Sequence, residues 1–160
     1  MSSPPAKIRA CWTAYQQAVS AAQQRDVGLG EGVGLCVVIY VGRTMEEAAA
    51  AIRPAINHYY EFLSGARPAG EWARRSYLDD GVEPTAEDLN AEWFDFLMSH
   101  DLIWVGTADY VAEKIAKYRE AVNLQHIVLL QQFPGLPYEK ILSSMSLLAE
   151  HVFPRFQAPA

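Results

Sequence analysis

The sequence is short of sulfur, of long apolar runs and, in its second half, of positive charge. It has 160 residues and two cysteines, Cys11 and Cys36. Their spacing suits no metal cage, and no secretory signal precedes them, so reduced, buried thiols in a cytoplasmic protein are expected. The longest apolar stretch, Val33 to Val41, falls well short of the roughly 20 residues of a membrane span, which excludes a membrane role. Residues 1–78 carry eight Lys/Arg against six Asp/Glu, whereas residues 79–160 carry five against thirteen. The acidic second half argues against nucleic acid as a partner. The four histidines, His58, His100, His126 and His151, show no metal-ligand spacing, so no metal is expected. No Gly-x-Ser-x-Gly nucleophile motif, no Ser/His/Asp order and no Cys/His pair of informative spacing is present.

At 51% apolar and 20% charged, the composition is that of one globular core. Residues 1–5 read as a disordered tail, 6–155 as a single domain and 156–160 as a second tail. Ile8, Cys11, Trp12, Tyr15, Val19 and Ala22 trace the apolar face of a helix over 6–24. Gly28, Gly30, Gly32 and Gly34 follow. A phosphate-cradling loop needs a strand before its glycines and a helix after them, and the order here is the reverse, so a flexible connection is expected.

Leu35 to Val41 is β-branched and apolar and reads as a buried strand. Thr44, with Glu46 and Glu47 behind it, caps a helix that Pro54 is expected to kink or restart. Residues 64–84 are rich in Gly, Pro and charge and read as an excursion. Thr85 to Ser99 reads as one helix.

The last third is the most informative stretch. Val105-Gly106 form a turn, and Thr107 and Asp109 then suit a helix start at about Ala108. Val111, Ile115, Tyr118 and Val122 give that helix its stripe, and Asn123 suits a left-handed end. His126 to Leu130 lacks polar alternation, as expected of a strand covered on both faces. Phe133-Pro134-Gly135-Leu136-Pro137 is a loop into a last helix carrying Ile141, Leu142, Met145, Leu148 and Val152, stopped by Pro154.

These residues carry a resemblance. Val105-Gly106-Thr107 with Val111-Ala112-Glu113-Lys114, Gln131-Gln132-Phe133, Pro134-Gly135-Leu136-Pro137 and Met145 to Pro154 resemble the carboxy-terminal part of the luciferase-like flavin-dependent monooxygenases, relatives of bacterial luciferase and alkanesulfonate monooxygenase. Lys7 to Ala22, and Val38 to Val41 with Thr44 to Ala48, match more loosely. The resemblance implies an α/β fold, the end of a (β/α)8 TIM barrel. A complete barrel needs about 250 residues and eight strands. Two strong barrel strands are visible, so the expectation is an incomplete barrel that oligomerises or takes its missing half from a partner.

The implied chemistry is oxidation of a small organic substrate with reduced FMN and dioxygen, electrons coming from a flavin reductase; a deazaflavin is the alternative cofactor. The implied site lies at the strand carboxyl ends. There Gln131 or Gln132 suits a flavin ring edge or substrate, and Arg43 suits an anionic group, although polar residues at strand ends commonly just solvate a loop. The family also has a mobile segment that covers the site. Residues 64–84 are the counterpart, and Arg74 and Arg75 in it suit a phosphate or an anionic substrate. Two further readings stand beside a monooxygenase: a non-catalytic relative acting as an oligomerising interaction module, and a flavin- or deazaflavin-binding module without oxygen chemistry.

Overall fold

Helices begin and end in this chain where backbone groups find local partners. A computed structural model describes residues 3–65, 67–79 and 81–157. Helix α1 spans Pro5–Gln23, with Pro5 in the first turn, where its missing N–H costs nothing. Strand β1 is Leu35–Val41 and helix α2 is Met45–Ser64, capped by Thr44 Oγ1, which accepts from Glu47 N at 3.1 Å. Helices α3 (Arg67–Tyr77), α4 (Ala86–Asn90) and α5 (Trp93–Ser99) lead to strand β2, Ile103–Gly106. Helix α6 (Ala108–Val122) precedes strand β3, Ile127–Leu130, and helix α7 (Tyr138–Leu147) runs on through a π turn and a 3-10 turn to Phe156. Thr107 caps α6 and Asn123 closes it in the left-handed region at φ 52°, as read from the sequence.

The three strands are parallel in the order β2-β1-β3. Val38 pairs with Ile103 on one side, and Leu35 to Val38 pair with Ile127 to Leu130 on the other. Alternate β1 side chains face opposite layers. Val38 and Tyr40, with Ile103 and Val105, pack under α2 and α5. Leu35, Val37, Ile39 and Val41, with Trp104, pack under α1, α6 and the carboxy-terminal helix. The chain winds from β1 to β2 across one face and from β2 back past β1 to β3 across the other. Right-handed crossovers demand that change of face when the direction of winding reverses.

The sheet therefore carries helices on both faces, whereas a closed barrel carries its helices on the outside. Helices of the same chain cover each apolar face of the sheet. Open backbone remains at the outer edges of β2 and β3, which no strand pairs among the described residues.

Several local expectations differ from the structure. Val105-Gly106 end a strand rather than forming a turn; four residues are too few to display a period, and β2 is buried throughout. Strand β3 is half-buried rather than covered, with Val128 58% exposed, because it lies at the sheet edge. Helix α2 passes through Pro54 unbroken, held by Ile52, Ala55 and Ile56 in the core. Residues 85–99 form two helices, not one. Ala91 and Glu92 are extended, so Asn57 Oδ1 accepts from Phe94 N at 2.8 Å and Trp93 turns inward. Cys11 is exposed and Cys36 intermediate, so neither is the buried thiol expected.

The glycine connection is docked rather than loose. Gly30 has φ +81°, and a Cβ there would lie 2.2 Å from the Asn123 carbonyl oxygen, while Asn123 Nδ2 donates to Leu29 O at 2.7 Å. Its glycine serves close approach to the end of α6.

Candidate functional site

In open parallel sheets, ligands enter outside the strand carboxyl ends where the winding reverses. Here that point lies between β1 and β3. Strand β3 pairs with only the first four residues of β1, which leaves Ile39 O and Val41 N without a strand partner on that edge. Two side chains continue the ladder. Gln131 Nε2 donates to Ile39 O at 3.1 Å and to Ser144 Oγ at 3.3 Å, and Ser144 Oγ accepts from Val41 N at 2.8 Å. Ser144 is fully buried, Gln131 nearly so, and Tyr40 Oη donates to Lys140 O at 3.2 Å. Helix α7 thus fills the crevice, because an unpaired buried backbone group costs about 1–3 kcal/mol.

The five residues singled out from the sequence do not converge. Gln131 is committed to this ladder. Gln132, next to it, is exposed. Arg43 is exposed just past β1, its backbone N donating to Glu47 Oε2 at 3.1 Å. Arg74 and Arg75 lie on α3. Arg74 lines a pocket with Ser64 and Gly65, at the far end of α2 from Arg43. Twenty helical residues separate those ends by about 30 Å. Arg75 is exposed and pairs with Glu83, with Glu71 3.9 Å away.

That pocket holds about 560 Å³ and is lined by Glu61, Ser64, Glu71, Arg74, Asn90 and Trp93 among others. Arg74 is 8% exposed. Its guanidinium lies 4.2 Å over the Trp93 ring and 5.4 Å from that of Phe96, and Nη2 donates to Ala91 O at 2.8 Å. Its Nε is buried with no acceptor among the described residues. Burial lowers the Arg74 pKa, and the nearby Asp88 charge acts against that. Behind it stands an aromatic wall: Tyr60 lies 5.4 Å from Trp93 and Tyr77 6.4 Å from it, and burial pushes the Tyr77 phenol up to about 12.

Smaller recesses lie elsewhere. One of about 230 Å³ sits between Pro54, Ala55 and His58 on α2 and Pro134-Gly135, just after β3. Among the described residues no cluster of three or more His, Cys, Asp or Glu is placed to hold a metal ion, and no helix is long and apolar enough to cross a membrane.

The sequence alone did not point to Ser144, Trp93 or Glu61. Ser144 is one of three serines on an amphipathic helix, and only its docking onto Val41 distinguishes it from its exposed neighbour Ser143. Trp93 falls within the stretch read as one helix, and the break before it turns it under Arg74.

No protein-family model matches the sequence, and no curated protein matches it. Solved structures do. The type II Baeyer-Villiger monooxygenase that is the oxygenating constituent of 3,6-diketocamphane monooxygenase, from the CAM plasmid of Pseudomonas putida and in complex with FMN, superposes at a TM-score of 0.71 with 20% identity, over 99% of this chain and 42% of that one. The chain shares the fold of part of that FMN-bound monooxygenase. Monooxygenase RslO1 from Streptomyces bottropensis superposes at 0.63 with 20% identity, over 96% of this chain and 39% of that one. The chain therefore spans about two fifths of the length of these monooxygenases. At such identity the likeness is one of fold, and function is argued from the site.

The site at the strand ends offers a flavin little by itself. The crevice between β1 and β3 is occupied by Gln131 and Ser144, whose polar groups are already engaged. Only Arg43 and Gln132, of the residues expected there, present side chains to solvent.

Proposed function

We propose that this chain is a flavin-monooxygenase-type unit that oxidises a small organic substrate with reduced FMN and dioxygen only within a larger assembly, formed with further copies or with a partner that supplies the rest of the site. The observation that carries this reading is the fold likeness along 99% of the chain to a protein in complex with FMN, of which it spans 42%. FMN, when bound, supplies the redox chemistry with dioxygen, and the protein binds, orients and excludes water. On this chain Arg43 is offered to an anionic group and Gln132 to a ring edge or substrate. Gln131 and Ser144 hold the end of β1 in place behind them. Electrons come from a separate flavin reductase; a deazaflavin is the alternative cofactor.

The test is a titration of the purified chain with FMN, and separately with a deazaflavin, followed by flavin fluorescence on samples of known size from a sizing column. Binding at about micromolar concentration by an oligomer, weakened by Arg43→Ala, is the expected result. A well-folded oligomer that binds neither, alone or with added partner, points instead to a non-catalytic interaction module.

A further inference from the structure

The pocket around Arg74 lies about one α2 length from the strand ends, and the proposed flavin site makes no use of it. Its chemistry is unusual for a solvated hollow. Arg74 sits in it only 8% exposed as a residue, with no carboxylate paired to it among the described residues. Stacking on Trp93 and the bond to Ala91 O fix the plane of its fork, so donors are oriented before any ligand arrives. A largely buried arginine with no ion pair is costly even with the Asp88 charge nearby, and its unmet Nε donor adds to that cost.

The rim carries the opposite sign. Glu61, Glu71 and Glu92 line the same pocket. Glu92 is engaged by Arg53 and by Asn57 Nδ2 at 2.8 Å, and Glu71 has Arg75 at 3.9 Å. The Glu61 carboxylate has no partner among the described residues, and Glu61 is exposed on the last turn of α2. A bare anion drawn to Arg74 must pass and face these carboxylates, and a bare cation drawn to the rim meets Arg74 beneath it. A ligand bearing both charges satisfies both, with Leu89 and Trp93 left to meet an apolar side chain.

We propose that this pocket binds a small zwitterion of the α-amino-acid class, its carboxylate on the Arg74 fork and its ammonium on Glu61. The volume of about 560 Å³ lies within the range of small-ligand sites and leaves room for a large side chain.

The test is calorimetric titration of the full chain with the free L-α-amino acids, and with the N-acetyl and the amide derivatives of whichever binds best. Free amino acids with apolar side chains are expected to bind at millimolar concentration or tighter, and each derivative at least about tenfold more weakly. Arg74→Lys keeps the charge but loses the fork and is expected to lose about tenfold. Glu61→Gln changes an exposed side chain, so the fold is kept. It is expected to weaken the free amino acid and to strengthen the N-acetyl derivative, a reversal that a merely structural role would not produce. No binding of any free amino acid to the folded wild-type chain overturns the proposal, and so does equal binding of the N-acetyl form. Failure of the FMN titration leaves it standing, since the two sites share no residue.

Discussion

Single residues here do work that their sequence context hides. Ser144 and Gln131 replace a missing strand, so Ser144→Ala is expected to cost about 1–3 kcal/mol by leaving Val41 N buried and unpaired. Gln131→Ala is expected to cost a similar amount. The double variant should cost less than the sum, because Gln131 also bonds Ser144; urea denaturation of the three variants measures this. Asp101 is another such residue, in the left-handed region at φ 58° and paired with Lys114 and with Lys117 Nζ at 2.8 Å. Burial pushes its carboxyl up, but the hydrogen bonds and charges of the two lysines outweigh that and hold it below its ordinary value of 3.8. A lowered folded pKa means that the stabilisation is complete above the ordinary value and is lost as pH falls through the folded one. Asp101→Asn, which tolerates the same backbone, is expected to destabilise the chain at about pH 7 and to flatten the loss of stability towards about pH 3, read from denaturation midpoints.

At the scale of elements, α2 does most to order the chain. It carries buried residues over nearly its whole length, caps itself with Thr44 and positions Asn57 to cap α5. Pro54 in its middle breaks a local rule that packing overrides. Pro54 is exposed, so Pro54→Ala gives up little contact and is expected to stabilise the protein by about 1–2 kcal/mol, the helix gain exceeding the lost restriction of the unfolded chain. A raised melting temperature in calorimetry checks it. Thr44→Ala is expected to cost about 1 kcal/mol by freeing the Glu47 N–H. Elements with strong local signals, such as α6 with its Thr107 cap and Asn123 terminus, were legible residue by residue. Strand β2 and the break at Ala91-Glu92 were not, because a four-residue strand has no period and the break is held by the bond from Phe94 N to Asn57, 37 positions before Phe94.

At the scale of the molecule, the outer edges of β2 and β3 have no partner strand among the described residues, and Val128 on β3 is 58% exposed. Open parallel edges invite another chain. Val128→Lys is therefore expected to shift the sizing profile towards the monomer without lowering the melting temperature of that monomer. An unchanged profile would remove β3 from the proposed assembly. The covering of both sheet faces bears on the proposed assembly too, since it leaves edges rather than faces exposed and puts α7 over the crevice where ligands commonly enter.

The sequence by itself determined the element types with clear periodicity or capping, and their parallel α/β arrangement. Apolar spacing, Thr44, Thr107, Asn123 and the proline-bounded loop are local signals that act through nearby backbone. The tertiary structure alone decided the β2-β1-β3 order, the helices on both faces, the use of Gln131 and Ser144 as a substitute strand, and the separation of Arg74 from Arg43 by the length of α2. Each depends on residues far apart in the chain meeting in one place. Which partner satisfies a buried polar group is set by packing, and no spacing within the sequence encodes it.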